Sequence, residues 1–315
     1  MITACPEYYK DFSCIASACR HSCCIGWEID IDRETAAKYK AVSGQLGERM
    51  SRCIDWNCAE PHFILTEGER CPFLNERNLC DIILSLGEDA ICDICTDHPR
   101  FRNYLSERTE IGLGLCCEEA ARLIIGWEKP FELIEEGEGE YTIEEDALMD
   151  LREDIFRIMN DAERPICRRM EAAVEVCGGE KSGQSIREWA RYLMSLERLD
   201  EGWTACLQRI VGGDYDETDI GPLMHSRSRW FANLFNYFIY RHLFAAIDDY
   251  DTASPAEFAL LSCRIIAALL LSHGGPGDIE TVAEYARMYS SEIEYSDENL
   301  GLIYDALTMD LNGMV

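Results

Sequence analysis

From residue 142 onward, apolar positions recur three and four residues apart, the spacing that a 3.6-residue turn stacks on one helix face. Leu148, Leu151, Ile155, Ile158 and Met159 trace such a face, and Pro165 predicts a break between two helices within 142–177. Ile186, Trp189, Ala190, Leu193, Leu196 and Leu199 predict another helix or pair over 185–211, with Gly212-Gly213 and Gly221-Pro222 marking the loop that follows. Residues 229–247 are rich in aromatics (Trp230, Phe231, Phe235, Tyr237, Phe238, Tyr240, Phe244), a stripe that reads as core. Ser254-Pro255 predicts a further helix start, with Ser as the cap and Pro in the first turn, running to Leu271 and stopped by Gly274-Gly275-Pro276-Gly277. Two amphipathic stretches follow at 278–295 and 297–311.

Before residue 130 the pattern is more irregular. Residues 27–31 (WEIDI) alternate as a short strand does, and Asp32 is placed to cap a helix reaching Met50. Further helices are expected over 80–94 and 118–127, the latter with Glu118 and Arg122 four apart and able to pair. Strands and helices do not alternate, so a doubly wound sheet is not supported. The expectation is a mainly α protein: an irregular, cysteine-rich, metal-binding N-terminal module, 1–130, packed on an all-helical C-terminal domain, 131–315. The join falls at 130–142, which holds a proline, two glycines and an acidic cluster.

Composition sharpens the picture. The 315 residues carry 59 acidic and 29 basic side chains, a net charge of −30, which argues against nucleic acid and anionic membrane surfaces as partners. The longest apolar run, 258–271, is interrupted by Arg264 and is too short to span a bilayer, as befits a core helix. Residues 1–12 lack the basic start and apolar stretch of a secretory signal, so a cytoplasmic location and reduced thiols are expected.

Thirteen of the 17 cysteines fall within the first 117 residues, too many at close spacing for inert core thiols. Cys14, Cys19, Cys23 and Cys24 lie within eleven residues, and Cys71, Cys80, Cys92, Cys95, Cys116 and Cys117 add thiols from separate segments. Thiolates select zinc, copper(I) and iron–sulfur clusters. Structural zinc takes four ligands, usually from two Cys-x2–4-Cys knuckles, a form that Cys19-x3-Cys23 and Cys92-x2-Cys95 have. A [4Fe–4S] cluster accepts four more dispersed cysteines and is preferred, with zinc as the alternative. The scattered Cys167, Cys177, Cys206 and Cys263 read as small core residues. His21 and His98 lie inside the cysteine motifs, while His62, His225, His242 and His273 have no partner pattern.

The motifs Phe12-Ser-Cys14, Cys19, Cys23-Cys24-Ile-Gly-Trp27-Glu-Ile-Asp30, Cys71-Pro-Phe-Leu74, Leu79-Cys80-Asp-Ile82, Ile91-Cys92-x-x-Cys95, His98-Pro-Arg100 and Cys117-Glu-Glu-Ala-Ala-Arg122-Leu resemble the flagellin lysine-N-methylase family. The same order of cysteines is similar to a broader group of cysteine-cluster proteins that chelate zinc or iron. The likeness covers about residues 5–127. It implies a cytoplasmic enzyme that methylates lysine ε-amines of flagellin, with S-adenosylmethionine as methyl donor and a bound [4Fe–4S] cluster. Carried over by position, the metal ligands are drawn from Cys14, Cys19, Cys23, Cys24, Cys71, Cys80, Cys95 and Cys117, with Cys92 and Cys116 as less secure neighbours. Trp27, His98 and Arg100 are the other residues expected at the cofactor. No catalytic acid or base stands out. The alternative is a non-catalytic zinc- or iron–sulfur-binding module for protein interaction or metal handling.

Overall fold

The computed structural model describes residues 1–180, 183–275 and 277–308. The chain divides into a smaller unit, 13–100, and a larger one made of 1–12 and 101–315. The expected join at 130–142 therefore lies inside the larger unit. Its physical basis is plain: Leu133–Glu136 is itself a strand, paired antiparallel with Ile2–Pro6.

That pairing belongs to a four-stranded sheet that hydrophobic patterning did not reveal. Ile2–Pro6 lies between Leu133–Glu136 and Arg108–Leu113, parallel to the latter in the register Ile2 to Arg108, and Arg100–Tyr104 forms the far edge. The strands hold four to six residues each, and three of the four carry charged side chains that mask alternation. Glu110, on the strand Arg108–Leu113, is fully buried and is gripped by two arginines. Arg108 Nε donates to it at 2.6 Å, and Arg152, from the helix Ile143–Asn160, donates through both guanidinium amines at 2.6 and 2.7 Å. The Arg152 guanidinium also lies 4.4 Å from the Phe244 ring centre, so the ion pair is sheltered by aromatic surface.

The remainder of the larger unit is helical, as the periodicity predicts. Ile143–Asn160 and Ile166–Val176 flank Pro165, and Ile186–Leu193 and Glu201–Gly212 form the expected pair. Thr142 with Glu145, and Ser185 with Glu188, make reciprocal capping boxes. Ser228–His242 carries the aromatic stripe, and Ile279–Ile293 and Asp297–Leu307 close the described chain; residues 309–311 of the last expected stretch lie outside the described residues. Three details differ. Gly221-Pro222 lies in the first turn of a helix, Ile220–Ser226, where a missing N–H costs nothing. The long apolar helix begins at Ala253, because the Asp251 carboxylate, not Ser254, accepts the N–H groups of Ala253 and Ser254. Arg122 pairs with Glu119 rather than Glu118, at 2.8 and 2.5 Å, one residue closer along the helix Glu118–Ile125. The helix Ala253–Ser272 is long and apolar enough to cross a membrane, yet 83% of its most apolar stretch is buried against its neighbours, as a core helix requires.

The smaller unit is less regular. The helix expected to run to Met50 is two, Arg33–Ala41 and Gly44–Cys53, and the one expected over 80–94 is broken into Asp81–Leu86 and Asp93–Asp97. Gly87 makes the second break with φ +94°, a backbone that a side chain resists. The WEIDI segment contributes only a single bridge, Asp30 to His62. Ile29, Ile31, Tyr39, Met50, Phe63, Phe73 and Ile82 form the core, and Cys71 and Cys92 are buried with them.

Candidate functional site

The smaller unit gathers five thiols from four short segments. The Cys71 N–H donates to the Cys24 carbonyl at 2.8 Å, which ties the first cysteine loop to the second. A tight return from Cys71 to Cys80 follows, with Leu74 bridged to Cys80 and the Asp81 N–H donating to Phe73. Cys92 stands just before the helix Asp93–Asp97, and its Sγ lies 3.4 Å from that of Cys95, one turn on. Cys24, Cys80, Cys92 and Cys95 pack with Cys71 on the same apolar core, and Cys24 acts electrostatically on Cys71, Cys80 and Cys95.

Burial dominates the ionisation of two of them and a hydrogen bond shared with another thiol that of the other three. Burial pushes Cys71 up to about 12 and raises Cys80, because a thiolate there would be poorly solvated. The hydrogen bond shared by Cys92 and Cys95 holds the first below the ordinary thiol range and the second above it. Cys24 is lowered to about 7, chiefly by a hydrogen bond from Cys23. Buried thiols crowded in this way lose their protons most readily to a cation that all of them share.

Cys14 and Cys19 sit on the loop that leads into this set. The Cys14 sulfur accepts the Ala16 N–H at 3.4 Å, and the Cys19 thiol donates to the His21 carbonyl at 3.3 Å. Cys117 belongs to the larger unit, at the N-cap of Glu118–Ile125. Trp27 donates its indole N–H to the Cys23 carbonyl at 2.7 Å, with its ring centre 6.2 Å from that of His98. His98 is held at about 4, mainly by burial and further by the Arg100 charge, so its imidazole is neutral at pH 7. Arg100 turns back onto the Thr96 carbonyl at 3.0 Å.

Two residues join the site that sequence reasoning left aside or undervalued. Cys92 is fully buried beside Cys95, and its signal was the Cys92-x2-Cys95 spacing itself. Tyr39 has a buried hydroxyl with no hydrogen-bond partner, and the charges of Cys92, Cys95 and Cys80 act on it. A buried orphan hydroxyl among thiols is suited to donate to sulfur once that sulfur is anionic. No motif marks Tyr39 in the chain. Zinc–sulfur bonds of about 2.3 Å would bring tetrahedral sulfurs to within about 4 Å of one another. Among the described residues no three cysteine sulfurs lie mutually within 4.8 Å. Thiols in this number are donors of the kind that both zinc and iron–sulfur clusters take, and the 3.4 Å Cys92–Cys95 separation is close enough for two ligands of one metal.

The larger unit has a polar centre of its own. The fully buried Glu294 carboxylate accepts from the Tyr237 hydroxyl at 3.1 Å and faces His242 Nε2 at 2.7 Å and Arg241 Nε at 3.4 Å. Tyr237 in turn accepts the Leu115 N–H at 3.2 Å, which anchors the strand end leading to Cys116 and Cys117. Burial pushes Cys116 up to about 12. Elsewhere on this unit Arg187, Asp214, Tyr215, Asp216 and Glu217 line an open, mainly polar cleft.

Comparison with known proteins bears on the chain as a whole. No solved structure matches it. It is 32% identical over 134 residues to lysine-N-methylases of Salmonella choleraesuis and Salmonella typhimurium, covering 38% of this chain and 31% of each relative. It is 31% identical over 134 residues to the flagellar biosynthetic protein FliU of Salmonella muenchen, covering 38% of this chain and 75% of that one. The chain thus spans about a third of the length of the lysine-N-methylases it matches. The sequence profile of the FliB lysine N-methylase C-terminal domain matches residues 93–314, which takes in Cys95, Cys116, Cys117 and the helical core that carried no recognisable motif. With most of its length so matched, the chain belongs to the FliB lysine N-methylase C-terminal domain family.

Proposed function

We propose that this protein is an iron–sulfur-dependent protein lysine N-methyltransferase that acts on flagellin in the cytoplasm, with S-adenosylmethionine as methyl donor. One observation carries the iron–sulfur part: thiols from four separate segments, Cys24, Cys71, Cys80 and the Cys92–Cys95 pair, meet on one buried core beside an unpartnered tyrosine hydroxyl. Family membership and the flagellar name of one relative support the rest.

Four of these sulfurs would hold a [4Fe–4S] cluster, which when bound would supply one-electron chemistry. The chain's own residues do the remaining work. Tyr39 offers a hydroxyl hydrogen to an anionic sulfur, and Trp27 fixes the Cys23-Cys24 turn through its indole N–H. Methyl transfer breaks the carbon–sulfur bond of the sulfonium and forms a carbon–nitrogen bond to lysine, whose amine gives up a proton to be nucleophilic. A net charge of −30 and the cleft at Asp214, Asp216 and Glu217 favour approach of a lysine-bearing protein surface and disfavour nucleic acid and anionic membranes.

The test is anaerobic purification with iron and sulfide analysis, followed by labelled S-adenosylmethionine, reductant and flagellin. A brown protein with about four irons per chain and label on lysine is expected, with both lost in Cys71→Ser and Cys95→Ser. A colourless zinc protein would remove the cluster and leave a zinc-stapled module. Unlabelled lysine with iron intact would point to interaction or metal handling without methyl transfer.

A further inference from the structure

The hairpin of the smaller unit carries donors that the thiol cluster does not use. Asp55 and His62 face each other across the ladder formed by Ile54–Asp55 and His62–Phe63, and the turn between them returns Cys58 to the same point. One ligand atom from each of the three lies within 4.8 Å of the other two. The Cys58 sulfur is 3.5 Å from His62 Nδ1. The Asp55 carboxylate is held by the Asn57 backbone and side-chain amides at 2.8 and 3.3 Å. On the far side of the ring, His62 Nε2 stands 3.6 Å from the Glu28 carboxylate. Nδ1 therefore faces the Cys58 thiol, with the Glu60 carbonyl at 3.4 Å, while Nε2 faces the Glu28 carboxylate. Metal-ligating histidines have this arrangement, in which an outer carboxylate fixes the tautomer and orients the ring.

We propose that Asp55, Cys58 and His62 form a zinc site separate from the cysteine cluster, with Glu28 positioning the imidazole. A thiolate, an imidazole and a carboxylate are ordinary zinc donors, and three protein ligands leave the fourth position to water. Glu28, Asp30 and His62 form a second possible grouping on the Nε2 side, but it offers no sulfur. The spacing Asp-x2-Cys-x3-His keeps all three ligands within one turn. The gain to the fold is local. A ladder of two residues per strand is marginal without support, and a metal that joins both strands to the tip of their turn supplies it.

The test uses the full chain, purified anaerobically with its iron counted first, then loaded with Zn(II) and passed over a chelating resin. Wild type is expected to retain about one zinc per chain more than Cys58→Ser or His62→Gln, at equal iron content. Glu28→Gln is expected to keep the site with about 10- to 100-fold weaker affinity. With Co(II) in place of zinc, the wild type should gain tetrahedral visible absorption that both ligand variants lack. Cys58 is exposed at the turn, so its serine variant probes the site without disturbing the core. Equal zinc retention in wild type and both variants would overturn the proposal. So would a parallel loss of iron, which would assign the hairpin to the cysteine cluster; absence of iron from all three proteins with the zinc difference intact would instead count against the cluster alone.

Discussion

Single buried charges define how the larger unit is held. Glu110 has no exposed surface and accepts three hydrogen bonds from the Arg108 and Arg152 guanidiniums. Replacing it by alanine leaves the buried Arg152 without its carboxylate and Arg108 with Glu135 and the Tyr141 hydroxyl, which costs about 3–5 kcal/mol, whereas an exposed ion pair such as Lys10 with Glu136 contributes under about 1 kcal/mol. Urea unfolding of Glu110→Ala and Glu136→Ala distinguishes the two. The His242–Glu294 pair sets an acid limit. Burial lowers the pKa of His242, and Arg241 foremost, with His242, overcomes burial to lower that of Glu294. In both groups the unfolded chain binds protons more readily, so their contribution to stability is complete above the ordinary imidazole value of 6.5 and is lost as pH falls through each folded value. The unfolding midpoint is expected to fall steadily below pH 6.5, and His242→Gln should flatten the upper part of that fall.

At the scale of elements, caps and breaks explain where local reading succeeded and where it did not. Asp32 accepts the Thr35 N–H at 2.8 Å, as the N-cap expectation requires, and also the Asp93 N–H at 3.0 Å. One carboxylate thus caps two helices, and the second begins beside Cys92. Asp32→Ala should cost about 1–2 kcal/mol and Asp32→Asn less, since a cap survives in the latter; thermal unfolding of the two variants is the measurement. The second capping role is invisible in the chain because it joins residues 61 apart. The short strands escaped notice for a related reason. Arg108–Leu113 and Leu133–Glu136 carry charges that mask alternation, Ile2–Pro6 is too short to stand out, and their pairing partners are distant in sequence.

At the scale of the whole molecule, the excess of 30 negative charges repels itself in the folded state. Raising ionic strength from about 0.01 to 0.15 M shortens the Debye length from about 30 to 8 Å, so the melting temperature should rise over that interval. A neutral osmolyte of equal osmolarity should not reproduce the rise. The division of the chain follows topology rather than composition: the strand at 133–136 pairs with the first residues of the chain, and so the segment rich in glycine and glutamate lies within a unit.

Periodicity and punctuation alone determined the long helices from 143 to 307, though not Ile220–Ser226, together with the cap at Asp32 and the segments bearing thiols, since each depends on residues a few positions apart. Tertiary structure decided which thiols converge, that Tyr39 stands among them, that Glu110 is buried, and that Asp55, Cys58 and His62 share one point. Those arrangements depend on chain segments brought together by burial and strand pairing, and no local spacing encodes the meeting.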